Sequence, residues 1–269
     1  MLIKVSKSLM LLALAFVFFS FSTVASAPAG IDNSHRSETN QARDTFRKPY
    51  QTLEFFGVKA NSKVVEIMPG GGWYTEVLAP MLAAEGQLVA AHYPITTSSK
   101  YRKRSRENFE KKLSDNKKVY GGVVIADFDP NASIDEKTKN ADVVLTFRGL
   151  HGLQNGNQLA AAFSQFNQML KQGGKLGIVQ HQAPEGFDPV ATAKKGYLPK
   201  SHVIAVAKAA GFDLEAEAYF HNNAKDRIII DNVEAGVWAL PPSLNAKENK
   251  KQYQAIGESN RMTLLFKKR

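Results

Sequence analysis

Val64-Val65-Glu66-Ile67-Met68-Pro69-Gly70-Gly71-Gly72-Trp73-Tyr74-Thr75 reads as a buried strand that runs into a glycine turn and opens a helix. Val64 to Met68 is a short apolar run with β-branched residues, interrupted only by Glu66. Val77, Leu78, Met81 and Leu82 then recur with helical spacing between Tyr74 and Ala84. Glycines let the main chain approach a bound molecule and take positive φ, and the following helix offers unpaired N–H groups at the positive end of its dipole. Such a turn favours a nucleotide or a carboxylate. A tight connection that binds nothing would use the same residues, and both readings stand at this level.

Outward from this unit, the same alternation continues. Leu88 to Ala91 is a second strand, ended by Pro94; Gly122 to Phe128 a third; Asp142 to Phe147 a fourth; Lys175 to His181 a fifth; Leu214 to Phe220 a sixth; and Met262 to Phe266 a seventh. Helical stretches lie between them, among them Gln158 to Leu170, stopped by Gln172-Gly173-Gly174, and Ser201 to Ala210, stopped by Gly211. Glu38 to Phe56 is helical material before the first strand, with Pro49 breaking or starting a helix. Strands alternating with helices predict an α/β fold with a Rossmann-like, seven-stranded, mostly parallel sheet and helices on both faces. Tyr101 to Lys118 is strongly basic with few aromatics, which predicts a solvated helix face and makes nucleic acid an unlikely partner.

Residues 1–27 have the marks of a signal peptide: Lys4 and Lys7, an apolar run from Leu9 through Phe21, and the small-residue site Ala25-Ser26-Ala27. The run is short for a bilayer span, so cleavage is expected, leaving residues 28–269 as one domain in the periplasm or outside the cell. No later stretch is apolar for long enough to cross a membrane. The 269 residues contain no cysteine, which excludes disulfides, thiolate nucleophiles and metal ligands, and lipid attachment through cysteine. The formal charge of +10 falls to +8 without Lys4 and Lys7, which favours acidic partners without identifying one.

Two cofactor patterns compete for the glycine turn. The dinucleotide fingerprint G-x-G-x-x-G uses Gly70 and Gly72 but needs a small residue where Thr75 stands. The pattern (Asp/Glu)-x-Gly-x-Gly-x-Gly fits Glu66, Gly70 and Gly72, with Met68 in place of the first glycine. The second is the pattern of S-adenosylmethionine-dependent methyltransferases. Arg43-Asp44, Arg47-Lys48-Pro49, the stretch from Val64 to Pro80, Thr146 to His151, Leu170 to Gly174, Gly236 to Pro242 and Ile256 to Thr263 extend the likeness over nearly the whole mature chain. On these residues the sequence resembles the family of exported class I methyltransferases. The resemblance implies a last strand antiparallel to its neighbours, S-adenosyl-L-methionine as cofactor, and a pocket at the carboxyl ends of the first four strands. Two departures bear on it. His92-Tyr93-Pro94 stands where a carboxylate normally binds the ribose, and Asn260 replaces the Asp of the family's closing Glu-Ser-Asp-Arg stretch.

Glu66, Gly70, Gly71, Gly72, Tyr74, His92 and Asp127 are the expected cofactor contacts. Glu66 would accept hydrogen bonds from the methionine portion and Asp127 from the adenine amino group; a capped turn and a turn-initiating Asp are the corresponding structural roles. Arg148 and His151 follow the fourth strand, where an open sheet presents its crevice, and are the expected catalytic pair: His151 as proton acceptor, Arg148 as clamp for an acidic small-molecule acceptor. His181 ends the fifth strand nearby. A metal site of His151, His181 and His202 lacks any ligand spacing, and His35 and His221, in polar surroundings, are expected at the surface. Three functional classes follow: an exported methyltransferase, a methyltransferase-fold binding protein without catalysis, and a basic envelope protein contacting anionic polymers. If the leader is cleaved as read, N-terminal sequencing of protein from native cells returns Pro28 as the first residue; an intact Met1 on membrane-bound material refutes export.

Overall fold

The computed structural model describes residues 31–226 and 255–269; the leader with its cleavage site and the Gly236 to Pro242 motif lie outside the described residues. The helical material before the first strand divides into α1 (Glu38–Gln41), α2 (Asp44–Arg47) and α3 (Pro49–Phe55). Lys48 turns the chain between the last two with a left-handed φ of 41°, and Pro49 sits in the first turn of α3, where its missing N–H costs nothing.

Then follow β1 (Lys63–Ile67), α4 (Thr75–Leu82), β2 (Gln87–His92), α5 (Lys100–Asp115), α6 (Lys117–Tyr120), β3 (Val124–Asp127) and β4 (Ala141–Phe147). The remainder is α7 (Leu150–Asn155), α8 (Leu159–Met169), β5 (Leu170–Ala183), α9 (Pro189–Lys194), β6 (Leu198–Pro199), α10 (Lys200–Ala209), β7 (Phe212–Ala218) and β8 (Arg261–Lys268). The strands order as β3-β2-β1-β4-β5-β8-β7, parallel from β3 to β5, with β8 antiparallel to both β5 and β7. This is the seven-strand path expected, with one addition. The two-residue β6 pairs with Gln182 and Ala183, where β5 continues past its expected end at His181. The order reverses between β1 and β4, and an open parallel sheet has its crevice outside the carboxyl ends at such a switch point.

Side-chain alternation sorts the core into two layers. Val65, Ile67, Val144, Leu176 and Ile178 pack with α8 and α10; Val64, Leu88, Ala90, Val143 and Leu145 pack with α3, α4 and α5. The basic stretch is less uniform than its charge suggests. Asn116 divides it, capping α6 with its own side chain, and Arg106, Phe109 and Leu113 turn a buried stripe of α5 toward the sheet. His221, expected at the surface, is buried: Nδ1 lies 2.7 Å from Thr263 Oγ1 and Nε2 2.8 Å from the Arg47 carbonyl. The tertiary pairing of β8 with α2 encloses it, which its polar sequence neighbours do not report. His35 is half-buried, against the Glu76 carbonyl.

Gly177, in the middle of β5, is required by packing alone. A Cβ there would lie 2.5 Å from Phe56 and 2.8 Å from Leu145, both buried. Gly177→Ala should therefore destabilise the protein by about 1–3 kcal/mol through overpacking, read as a lower urea midpoint, and Gly177→Ala with Phe56→Leu should recover part of the loss.

Candidate functional site

The chain leaves β1 through a turn in which Met68, Gly70 and Gly72 have φ of 49°, 59° and 76°. Met68, in the position of the motif's missing glycine, keeps the left-handed backbone that glycine favours, at a cost of about 1–2 kcal/mol for an L-residue. The ring of bonds around the turn holds it there: Met68 N–H donates to the Ala91 carbonyl at 2.8 Å and Gly72 N–H to the Pro69 carbonyl at 2.9 Å. A Cβ on Gly70 or Gly71 would meet nothing within 4 Å, so bare backbone faces open space at both. Gly72 differs, since a Cβ there would lie 3.0 Å from Phe109 of α5; it fits the turn to a helix and borders neither cavity described below.

A cavity of about 650 Å³ opens over the carboxyl ends of β1 to β5. Its wall takes Gly70 from the first turn, Tyr93, Pro94 and Thr96 to Ser98 beyond β2, Phe128 to Asn131 beyond β3, Arg148, Gly149 and His151 to Leu153 beyond β4, and His181 of β5. This lies in the volume range of small-molecule sites. His92 and Asp127 do not reach it. Tyr93 N–H donates to His92 Nδ1 at 2.8 Å, leaving Nε2 as the ring N–H, 3.4 Å from the Gly70 carbonyl; His92 thus supports the glycine turn from behind. Burial, ahead of the Arg106 charge, holds its pKa down at about 4. Asp127 is tied to Arg106 Nη1 at 2.8 Å, which places α5 against β3. The acidic side chain lining the cavity is Asp129, two residues further on, whose Oδ1 accepts the Asn131 N–H at 2.9 Å.

Arg148 and His151 are brought together with His181, as the strand order implies. Arg148 has a φ of 60°, anchored by its N–H to the Val179 carbonyl at 2.7 Å. Burial and the Arg261 charge pull its guanidinium down to about 10, still charged at neutral pH. His151 is held neutral: burial, then the Arg148 charge, lowers it to about 4. Gln180 fixes its tautomer. Oε1 of Gln180 accepts the Leu150 N–H and Nε2 donates to the Gly196 carbonyl at 3.0 Å, so the other amide hydrogen meets His151 Nδ1 at 3.4 Å and the ring carries its proton on Nε2. His181 Nδ1 is bonded to the Ser259 hydroxyl, and the His151 and His181 ring centres are 6.2 Å apart. His202 turns instead to Gln154, at 2.9 Å.

A second cavity, about 250 Å³, shares Met68, Gly70, Phe147 and Arg148 with the first and extends under the N-terminal helices. Glu66, Gly71 and Tyr74 border it. Tyr74 is stacked on Phe147, ring centres 3.5 Å apart, and burial raises its phenol to about 12. Glu66 accepts the Thr75 hydroxyl at 2.6 Å; burial pushes its carboxyl up to about 7 against the opposing pull of that bond and of Lys112. The other walls are cationic. Arg43, Arg47 and Arg261 all meet the Glu258 carboxylate: Arg43 Nε at 2.7 Å, Arg47 Nε at 2.9 Å to the same oxygen, and Arg261 Nη2 on the other. Burial alone would raise Glu258, but Arg261, Arg47, Arg43 and Arg148 outweigh it and hold the carboxyl at about 2. Trp73 closes the side, with the guanidiniums of Arg36 and Arg47 5.1 and 4.5 Å from its ring.

No protein-family model matches the chain, and no curated protein matches it. Solved structures do. A SAM-dependent methyltransferase from Aquifex aeolicus superimposes with a TM-score of 0.55 at 14% identity, over 88% of this chain and 99% of that one. The glycopeptide N-methyltransferase MtfA, complexed with sinefungin, gives 0.51 at 13% identity over 82% and 92%. The [4+2]-cyclase SpnF gives 0.57 at 14% over 88% and 84%. The chain has the Rossmann-like methyltransferase fold. Within that fold, the antiparallel β8 carries Arg261 beside His181, with which it pairs in register.

Asp129, Trp73, Arg43, Arg47, Glu258 and Arg261 border or build the site and are absent from the residues expected there. All but Asp129 belong to the motifs that carry the family resemblance, which was the available signal; Asp129 reads in sequence only as part of a polar loop. Glu258 is the charge partner of Arg261, and Asn260, which stands where the family has Asp, accepts the Asn223 N–H on Oδ1. The two carboxylates predict opposite pH slopes. Glu258, depressed from 4.5 to about 2, stabilises the fold above pH 4.5 and loses that contribution as pH falls toward 2. Glu66, raised from 4.5 to about 7, makes stability fall as pH rises from 4.5 to 7. In urea unfolding against pH, Glu66→Gln should flatten the second slope relative to the parent, and Glu258→Gln should cost about 3–5 kcal/mol at neutral pH by leaving buried guanidiniums without their carboxylate.

Proposed function

We propose that the chain is an exported S-adenosyl-L-methionine-dependent methyltransferase acting on a small acidic molecule. The observation that carries this reading is the cavity of about 650 Å³ over the switch point of the sheet, entered by the bare backbone of Gly70 and framed by residues that follow β1 to β4 and by His181 of β5. The similar solved structures support it: among them are S-adenosylmethionine-dependent enzymes, one of them with sinefungin, an analogue of that cofactor. The residues suit the cofactor. Glu66 beside Gly71 suits an ammonium group, and Asp129 supplies a carboxylate on the cavity wall in place of the one absent after β2. When bound, S-adenosylmethionine supplies an activated methyl group, and the protein's task is to align a nucleophile with it. Arg148, which borders both cavities, is placed to hold the acceptor's anionic group. His151 is neutral at working pH; with its proton on Nε2 it orients the acceptor by donating a hydrogen bond, and it takes up a proton only weakly, its pKa being about 4. An acceptor that arrives already deprotonated suits such a site. The leader, outside the described residues, is the basis for export, and no helix among the described residues is long and apolar enough to cross a membrane.

A second reading is favoured by two facts. No carboxylate follows β2 directly, and the [4+2]-cyclase SpnF has a similar fold, so a ligand-binding protein that transfers no methyl group is the alternative. The third class, a basic envelope protein, would use the exposed lysines of α5. Calorimetric titration with S-adenosylhomocysteine separates them. Under the methyltransferase reading it binds, and ionisation of Glu66 by the ligand's ammonium releases protons at pH 7, seen as a heat that varies with the buffer's ionisation enthalpy. Glu66→Gln should remove that variation. Gly70→Ala, which points a methyl group into the cavity, should weaken binding at least tenfold; absence of parent binding at millimolar ligand would leave the other two classes.

A further inference from the structure

The smaller cavity carries more positive charge than the fold neutralises. Arg43, Arg47, Arg148 and Arg261 meet there around Glu258, an excess of three charges while Glu66 on the same wall is protonated and of two once it is ionised. The arginines are not spread over a solvated face. Arg47 and Arg261 are each 3% exposed, and Arg43 has 12% of its side chain exposed. Arg47 Nη2 is buried with no hydrogen-bond partner, although its Nε is well satisfied by Glu258 and its Cζ lies 4.5 Å from the centre of the Trp73 ring. Like charges confined in a dry wall repel, and an unmet buried donor is costly, so a cavity of this kind is stabilised by an anion that enters it. Guanidinium forks facing one small space are the geometry that receives two oxygens of a carboxylate or phosphoryl group.

We propose that this cavity is an oxyanion subsite for the methyl acceptor, and that it takes a doubly charged group, a phosphoryl or a pair of carboxylates, held by Arg47 and Arg148 with Arg43 and Arg261 behind them. The assignment to the acceptor rests on the methyltransferase reading; the anion site itself does not. The cofactor's methionine end, with its ammonium at Glu66, shares this cavity but does not account for the charge: its ammonium and carboxylate cancel, the excess of two remains with Glu66 ionised, and its sulfonium adds a further positive charge. A volume of about 250 Å³ admits a phosphoryl or a short dicarboxylate on the arginine side, with the cofactor's amino group on the Glu66 side, and the shared wall at Met68, Gly70, Phe147 and Arg148 lets the rest of the acceptor lie in the larger cavity beside His151.

The test uses inorganic phosphate and malonate as probes on the mature protein, by calorimetry and thermal denaturation, each with and without saturating S-adenosylhomocysteine. The expected result is that at least one probe binds with a submillimolar Kd and raises Tm, and that saturation with S-adenosylhomocysteine leaves that binding in place. Which probe binds more tightly tells phosphoryl from dicarboxylate. Arg148→Met should reduce probe affinity tenfold or more and, because it relieves repulsion, raise Tm in the absence of anions; Arg47→Met should reduce affinity likewise. A purely structural arginine would instead lower Tm on removal and leave probe binding unchanged. Failure of both probes to bind, or their displacement by S-adenosylhomocysteine, overturns the inference while leaving the cofactor reading intact. Probe binding by a protein that ignores S-adenosylhomocysteine retains the anion site and overturns its assignment to a methyl acceptor.

Discussion

One carboxylate joins the two ends of the described chain. Glu258, just before the last strand, accepts from Arg43 and Arg47, more than two hundred residues earlier, and from Arg261 within its own turn. The N-terminal helices are short, and α1 buries no side chain, so they contribute little apolar area of their own. Their attachment to the sheet depends on this charged contact, on His221 against the Arg47 carbonyl, and on Tyr50, Leu53 and Phe56 of the α3 segment entering the core. A buried pair of this kind contributes less to net stability than to a unique arrangement, because desolvation offsets much of the attraction. Here the arrangement it selects is the roof of the smaller cavity.

The sheet provides the floor by a different means. Parallel strands end together at one edge, and the reversal of order between β1 and β4 leaves space there for a ligand. Two positions at that edge hold backbone geometry that favours glycine without being glycine, Met68 after β1 and Arg148 after β4. Strain of about 1–3 kcal/mol at each is tolerated only where neighbouring bonds over-determine the turn. At Met68 the bond to Ala91 does so, and at Arg148 the bond to Val179. The result sends the Met68 side chain toward Gly149, where a Cβ would lie 2.7 Å from its methyl carbon, and puts a guanidinium at the seam of the two cavities.

Polar groups around the seam have their roles set by burial. His92, His151 and His181 are all held neutral, so the histidines add no charge to the arginines near them. Glu66 is raised and Glu258 depressed, although both are buried, because Glu258 faces guanidiniums directly and Glu66 faces a hydroxyl. The same residue type in two surroundings thus offers a proton-sensitive carboxyl at the glycine turn and a permanent anion under the helices.

The order of strands and helices was legible in the sequence because each depends on local periodicity and on glycine or proline at the ends, which neighbours in the chain determine. The glycine turn, and the grouping of Arg148, His151 and His181 at one edge, follow from the same pattern, since residues just past parallel strands must come together. Strand lengths were less accessible: β5 runs on beyond His181 because β6 is there to pair with it, a partner no local signal names. Side-chain direction was inaccessible. Gly72 faces Phe109, His92 lies behind the turn and Asp127 is taken by Arg106, all decided by how α5 packs on the sheet, while Asp129 opens on the cavity from a loop whose backbone carbonyl is held by Gln165 of α8. The surrounding of Glu258 by arginines from opposite ends of the chain was decided only by tertiary structure, because Coulomb interaction depends on distance in space and the sequence specifies distance along the chain.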